Sequence, residues 1–247
     1  MKAIILAAGR GSRLKGFTSD KPKCLNVVNG KPLIEYQGKA LRDAGVNEVV
    51  IVTGYMRDKL EPYADKEITN ERWAETNMVK SLLCAAEEFN ETIVISYSDI
   101  LYDTTVVKEL IKSKEDFSVV YDLEWSDLWS KRFDNPLDDA ETFKINDDEV
   151  ITEIGLKPNS MEEVEGQYIG LLKFTPKALE KITAYTSSLP PEKLDRLDMT
   201  SLLRSLIESG ETIKGLPIKG GWFEVDTVTD LNLVNQLVES KELSFNL

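Results

Sequence analysis

The sequence contains no histidine. That absence removes Ser-His-Asp and Cys-His nucleophile systems, HExxH zinc sites and phosphohistidine intermediates. Any chemistry must run on Lys, Arg, Asp, Glu, hydroxyls, backbone amides and bound metal. Cysteine is scarce: Cys24 and Cys84 lie far apart and form no CxxC pair, so both are expected as free buried thiols. Basic residues are outnumbered, 30 Lys and Arg against 43 Asp and Glu, for a net charge of −13. A nucleic-acid surface needs basic stripes and is not expected. A few convergent cations can still hold an anion, and the overall acidity serves solubility. No apolar run approaches the ~18 residues of a membrane span, so no membrane partner is expected. The opening MKAIILAAGRGSRL meets Gly and Arg at once, unlike a secretory leader, and the expected location is cytoplasmic.

What the 247 residues do contain is a regular alternation of apolar runs and amphipathic stretches. MKAIILA reads as a buried strand, PLIEYQGKALRDAG as a helix stopped by Gly45, NEVVIVTGY as a second strand and TNMVKSLLCAAEEF as a second helix. ETIVISYSDI, TTVVKELIKS and DFSVVYDLEW continue the pattern as strand, helix and strand. The expected fold is therefore α/β: a Rossmann-like, mostly parallel sheet flanked by helices. Beyond residue 121 the pattern changes. DLEWSDLWSKRFDNPLDDAE lacks clean periodicity, TFKINDDEVITEIGLKP reads as a β-hairpin, and GQYIGLLKF as a further strand. LDRLDMTSLLRSLIESG reads as a helix, IKGLPIKGGWFEVD as two short strands, and TDLNLVNQLVESKEL as a closing helix. We expect a single domain over 1–247, with a nucleotide-binding half at 1–120 and a half at 121–247 that adds a β-rich, acceptor-side insertion.

GRGSR, TGY and SDI all fall at strand ends, where sheets of this type bind ligands. In GRGSR, Gly9 and Gly11 let backbone approach an anion and offer amide donors, while Arg13 and Lys23 add positive charge. The pattern is neither a P-loop nor a GxGxxG running into a helix, and a bare GxG is equally a tight turn. Asp99 ends one strand and Asp226 another, with Glu224 two residues earlier on the same strand face. Carboxylates so placed suit Mg²⁺, although Asp99 also fits a helix cap, and Asp226 or Thr227 fits the cap of the last helix. Asn77 and Ser81 stand one turn apart at a helix start, which is also what an ordinary capped helix offers. Tyr121, Trp125, Trp129 and Phe133 alternate with Glu124, Asp127, Asp134 and Asp138. Such a set suits a cationic amine or quaternary ammonium head, with Arg132 placed to grip a phosphate or carboxylate, or else it is a surface hairpin whose aromatics enter the core.

The wider string AIILAAGRGSRL, then Thr18, DKPKCL and GKPLIEY, resembles the nucleotidyltransferase family that joins nucleoside triphosphates to sugar 1-phosphates and related phosphorylated small molecules. The match is tight over this N-terminal segment. It implies the sugar-nucleotide-transferase (MobA-like) fold, a nucleotide held by Leu6, Ala8, Gly9, Gly11 and Ser12, and phosphate contacts from Arg13. It also implies that Lys23 stabilises charge at the reacting phosphorus, that Asp99 and Asp226 bind Mg²⁺, and that Lys157 of GLKP touches the acceptor phosphate; the position of Glu224 on the strand face of Asp226 offers a third ligand. The family commonly writes that last motif with Glu where this chain has Leu156, which disfavours a sugar acceptor. TNM…SL is similar to the branch that uses CTP with phosphocholine- or aminoethylphosphonate-type acceptors, with Asn77, Ser81 and backbone near Gly54 reading the base. Trp125, Trp129 and Arg132 would face the acceptor. The expected activity is Mg²⁺-dependent transfer from CTP to a phosphorylated or phosphonylated amine: phosphocholine, 2-aminoethylphosphonate or phosphoglutamine. The alternatives are a sugar-1-phosphate uridylyl- or thymidylyltransferase and, in another class, an idle nucleotide-binding regulatory subunit.

Overall fold

The computed structural model describes residues 1–245, so the last two residues of the expected domain lie outside the described ones. Among the described residues, seven strands build the main sheet: β1 (Lys2–Ala7), β2 (Glu48–Thr53), β3 (Lys66–Thr69), β4 (Ile93–Tyr97), β5 (Phe117–Asp122), β6 (Gln167–Phe174) and β7 (Ile213–Ile218). Their order is β7-β5-β6-β4-β1-β2-β3. β1 pairs in parallel with β2 and β4, β2 with β3, and β5 with β7, whereas β6 runs antiparallel to both of its neighbours. The helices are α1 (Leu33–Asp43), α2 (Met78–Cys84), α3 (Thr104–Lys112), α4 (Trp125–Arg132), α5 (Pro176–Ser187), α6 (Pro191–Arg196), α7 (Met199–Glu208) and α8 (Val228–Glu239). No helix among them is long and apolar enough to cross a membrane.

The period-two geometry of a strand sends alternate residues of β1 to opposite faces. Ile4 and Leu6 enter a buried cluster with Val79, Leu82, Ile182, Leu203 and Leu206 of α2, α5 and α7. Ala3, Ile5 and Ala7 enter another with Leu41, Val107, Leu110, Trp125 and Trp129 of α1, α3 and α4. Both faces are thus covered, which is why β1, β2 and β4 read as unbroken apolar runs rather than as alternating ones. A third cluster packs Leu231, Val234 and Leu237 of α8 on Leu14, Val28, Leu33 and Phe223. It ties the last helix to the loop after β1, so residues from opposite ends of the chain meet at one edge of the site.

Several features depart from the sequence expectation. α2 is short and tightens at Ala86–Glu88, where Glu88 reaches Lys2 and Lys66. The aperiodic DLEWSDLWSKRF contains α4, hidden from a periodicity test because Arg132 is buried beside Trp125 and Trp129. GQYIGLLKF does not extend the insertion but becomes β6, inside the main sheet between β4 and β5. The β-rich addition reduces to the hairpin Phe143–Ile145 and Ile151–Ile154, turning near Asp147 and Asp148 as expected, and to the strand Trp222–Glu224, which pairs antiparallel with Ile100–Tyr102. β3 and α5 are not anticipated, and the single helix expected over LDRLDMTSLLRSLIESG is two, α6 and α7, broken between Arg196 and Met199. Cys24 is buried and free, its thiol pushed up to about 12 by desolvation; Cys84 is free but only half-buried.

Candidate active site

The loop after β1 turns back at Gly11, whose φ is +69°, a left-handed conformation that costs an L side chain about 1–2 kcal/mol. A Cβ there would also lie 2.7 Å from the Cβ of Lys23. Gly11 is therefore required twice, by the turn and by the passage of the lysine beneath it. Gly9 has nothing within 4 Å of the position a Cβ would take and faces open space. Leu6, Ala8, Gly9, Gly11, Ser12, Lys23, Asn77, Ser81 and Asp99 line one cavity of about 300 Å³. The sequence-predicted nucleotide residues thus converge, Gly54 excepted. Gly54 sits behind the wall, and a Cβ on it would meet the Cβ of Trp73 at 2.5 Å. Its smallness seats Trp73, which lines the cavity and packs edge-on against Tyr55. Trp73 was missed because nothing in its local sequence points toward the glycine.

At the start of α2, the Asn77 side chain accepts from the amide of Met78 and serves as the cap. Ser81 Oγ accepts from Asn70 Nδ2 at 3.0 Å. That fixed donor leaves the serine hydroxyl hydrogen free to point at an acceptor such as a base carbonyl.

Charge concentrates at the cavity's inner edge. Lys23 Nζ donates to Asp99 Oδ2 at 2.7 Å and to Asp226 Oδ1, and Arg13 reaches Asp226 Oδ2 at 2.7 Å. Burial works against the Lys23 charge, but Asp99, Asp226 and Glu224 outweigh it and hold the ammonium well above the ordinary lysine range. Burial likewise opposes the Asp226 carboxylate, while Lys23, Arg13 and Arg132 keep it ionised below the usual range. Glu224 is pushed up to about 8 by burial and by the charge of Asp226. Thr227 and Asp230 form a reciprocal capping box at the start of α8, which leaves the Asp226 carboxylate for the site. Carboxylate oxygens of Asp99, Glu224 and Asp226 lie within 4.8 Å of one another, and Asp99 Oδ1 is buried with no partner among the described residues. An orphaned carboxylate oxygen beside two others is a donor set that fits a hard divalent cation.

Arg13, Met78 and Asp226 also line a second cavity of about 320 Å³. Its walls include Tyr97, Trp129, Asp139, Glu141, Gln167, Tyr168, Asp198, Thr200 and Trp222. The register of β6 against β5 shifts between Tyr168 and Leu172, and Gly170 there has φ +82° with Tyr97 pressed onto it. This bulge places Gln167 and Tyr168 on the cavity wall. Burial, aided by Asp198, raises the Glu141 carboxyl above its usual range, and burial raises Asp139 as well.

Three expected acceptor residues are elsewhere. The Arg132 side chain is 0% exposed and bound to Asp230 at 2.9 Å and Glu224 at 3.0 Å, so its charge is spent inside the protein. Trp125 is buried in the core with its indole N–H donating to the carbonyl of Val164. Lys157 is exposed and folds onto the carbonyls of Leu137 and Asp138, outside the cavity lining. Of the four, Trp129 alone lines the cavity. The sequence did mark Asp139 and Glu141 as part of an acid-rich stretch, but Gln167, Asp198 and Thr200 carried no local signal.

Residues 3–145 match the model of the MobA-like NTP transferase domain. The chain is 41% identical, over 94% of its length and 98% of the relative's, to the CTP:phosphoglutamine cytidylyltransferase of Campylobacter jejuni. It is 38% identical to the choline-phosphate cytidylyltransferase of Streptococcus pneumoniae over 46% of this chain and 51% of that one. A solved structure of CTP:phosphocholine cytidylyltransferase from Streptococcus pneumoniae superposes with a TM-score of 0.72 at 25% identity, covering 96% of this chain and 98% of that chain.

Proposed function

Because this chain belongs to the MobA-like NTP transferase family, we propose that it is a cytidylyltransferase joining CTP to a phosphorylated or phosphonylated amine-bearing small molecule, with release of pyrophosphate. Phosphocholine, 2-aminoethylphosphonate and phosphoglutamine are the candidate acceptors. The observation that carries the proposal is the meeting of two cavities at Arg13 and Asp226, with Lys23 directly beneath.

In this reading the glycine turn cradles the triphosphate through backbone amides, and Ser81 and Asn77 face the base. The acceptor's anionic oxygen enters from the second cavity and attacks the α-phosphorus in line. The new P–O bond forms as the bond to the β-phosphate oxygen breaks, and pyrophosphate carries away the electron pair. The attacking oxygen is already ionised at neutral pH, so no general base is needed and the lack of histidine is no obstacle. Arg13 and Lys23 stabilise charge spreading over the phosphoryl oxygens, which is most of what such a transfer asks of a protein. Asp99, Asp226 and Glu224 would hold Mg²⁺, which neutralises phosphate charge when bound. We place the protein in the cytoplasm and read 1–247 as one catalytic unit, since strands from both halves share the sheet.

The test is pyrophosphate release with Mg²⁺, crossing CTP, UTP, dTTP, ATP and GTP with phosphorylated amines and sugar 1-phosphates. Release confined to CTP with an aminated acceptor is expected, and chelation of the metal should abolish it. Release with UTP or dTTP and a sugar 1-phosphate would replace the acceptor assignment. Nucleotide binding without turnover anywhere would favour a regulatory subunit.

A further inference from the structure

Trp73 stands in the wall of the first cavity without belonging to the core. It is half-buried and enters none of the three apolar clusters of the described residues. Its one aromatic neighbour among them is Tyr55, edge-on with ring centroids 5.4 Å apart. An edge-on neighbour covers at most one face of an indole. Leaving so large a ring half in water forfeits the burial that normally repays it. The fold nevertheless clears room for it. Only a bare glycine fits at position 54, since a Cβ there would meet Trp73 Cγ at 2.6 Å and the carbonyl of Ala8 at 2.7 Å.

The ring is also held in place from three sides. Asn70 is 2% exposed; its Nδ2 donates to Thr76 Oγ1 at 2.9 Å and to Ser81 Oγ at 3.0 Å, while its Oδ1 accepts from the amide of Arg72. One side chain thus closes the turn that carries Trp73 and fixes the serine that faces the base in the transfer reading. Arg72 forks onto Asp195 at 2.6 and 3.2 Å, tying the turn to the end of α6. Next to Trp73, the Tyr55 hydroxyl donates to the carbonyl of Thr18 at 2.8 Å, and the Arg10 guanidinium lies 5.4 Å from the Tyr55 centroid. Thr18 and Arg10 belong to the loop after β1, so the platform is joined to the glycine turn. Trp73, Thr76, Asn77 and Ser81 line the same cavity as that turn, Lys23 and Asp99. The cations suit phosphate, the amide and hydroxyl groups suit the edge of a base, and an indole face suits its flat ring. Resting on the transfer reading above, we propose that Trp73 is a nucleotide-binding residue, the platform on which the pyrimidine ring stacks while Ser81 and Asn77 meet its edge. Every base has a π-face, so stacking supplies affinity and leaves the choice of base to the edge contacts.

The test is binding rather than turnover. The full chain with Mg²⁺ is titrated with CTP and, separately, with inorganic tripolyphosphate, which carries the charge and no base. Trp125, Trp129 and Trp222 are 4% exposed or less, so Trp73 is the tryptophan placed to report. CTP should quench the tryptophan emission, and Trp73→Phe should abolish the quench while calorimetry shows most of the affinity retained. Trp73→Ala should weaken CTP by roughly 10-fold and leave tripolyphosphate unchanged. Trp73→Phe keeps an aromatic ring, so the fluorescence result stands even if Trp73→Ala fails to fold. Equal weakening of CTP and tripolyphosphate would mean that the ring only shapes the cavity, and would overturn the inference. So would full affinity for CTP in Trp73→Ala, or a quench that survives Trp73→Phe. Each of these leaves the transfer reading intact, whereas failure of the unaltered chain to bind CTP overturns both.

Discussion

The two cavities that meet at Arg13 and Asp226 are made of different material. The side proposed for the nucleotide is built around one loop, which supplies Ala8, Gly9, Gly11, Ser12 and Arg13, with Lys23, Trp73, Asn77, Ser81 and Asp99 reaching it from elsewhere. The acceptor side is made of side chains from β4, α4, β6, α7 and the loops between them, none adjacent to more than a few of the others in sequence. Phosphate is bound by amides and close approach, so its site can be written in a short string. A particular head group is bound by the tips of buried polar side chains, and those can come from anywhere the fold brings them. Substitutions on the first side should alter the use of CTP with every acceptor. Substitutions on the second should alter the choice of acceptor.

The largest expected effect lies at the seam, which both sides share. Lys23→Met removes the cation between Asp99 and Asp226 and should lower kcat by at least ~10²-fold with every acceptor, the usual scale for losing a preorganised charge aimed at the transition state. A loss confined to one acceptor would break the idea of a shared seam. Next in size, Arg132→Met leaves Glu224 and Asp230 without their buried partner and should cost about 3–5 kcal/mol in urea unfolding, as broken buried ion pairs do. Arg132→Lys should recover only part, because one ammonium cannot serve both carboxylates in the guanidinium's forked geometry. An Arg132 variant of normal stability that fails to bind the acceptor would restore the phosphate-gripping role expected from sequence.

Smaller effects separate backbone from side chain on the nucleotide side. Gly11→Ala should lower stability by about 1–2 kcal/mol, from its positive φ and the contact with Lys23. Gly9→Ala should leave thermal unfolding unchanged, because its Cβ meets nothing in the free protein, yet raise KM for CTP where the triphosphate needs that space. If Gly9→Ala binds CTP normally, the cradle lies elsewhere. The mildest change is Ser81→Ala. It removes one hydrogen bond worth about 1 kcal/mol, and KM for CTP should rise roughly five-fold with KM for the acceptor untouched.

The contrast between the cavities also explains how far the sequence could be read. β1, β2, β4 and α8 were legible because two-sided burial and helical spacing leave their mark on consecutive residues. Lys23, Asp99 and Asp226 are legible through the resemblance of their surrounding strings to the nucleotidyltransferase family, since a lone Asp at a strand end reads equally as a cap, and the sheet carries these ends to one edge. β6 was recognised as a strand, but its antiparallel insertion between β4 and β5 depends on pairings distant in sequence. Arg132 was misjudged because an arginine in an acid-rich stretch reads as a ligand grip. Its partners, Glu224 and Asp230, arrive from the far end of the chain.

In the proposed direct transfer, chemistry waits until both cavities are filled, with the acceptor oxygen attacking and no protein group taking the nucleotide first. Exchange of labelled pyrophosphate into CTP, measured with Mg²⁺ and with no acceptor present, tests it most directly. Direct transfer predicts no exchange until the cytidylylated product is added. Exchange with CTP and pyrophosphate alone would mean a covalent nucleotidyl-enzyme, with Lys23 as the first nucleophile to suspect, and would rule direct transfer out.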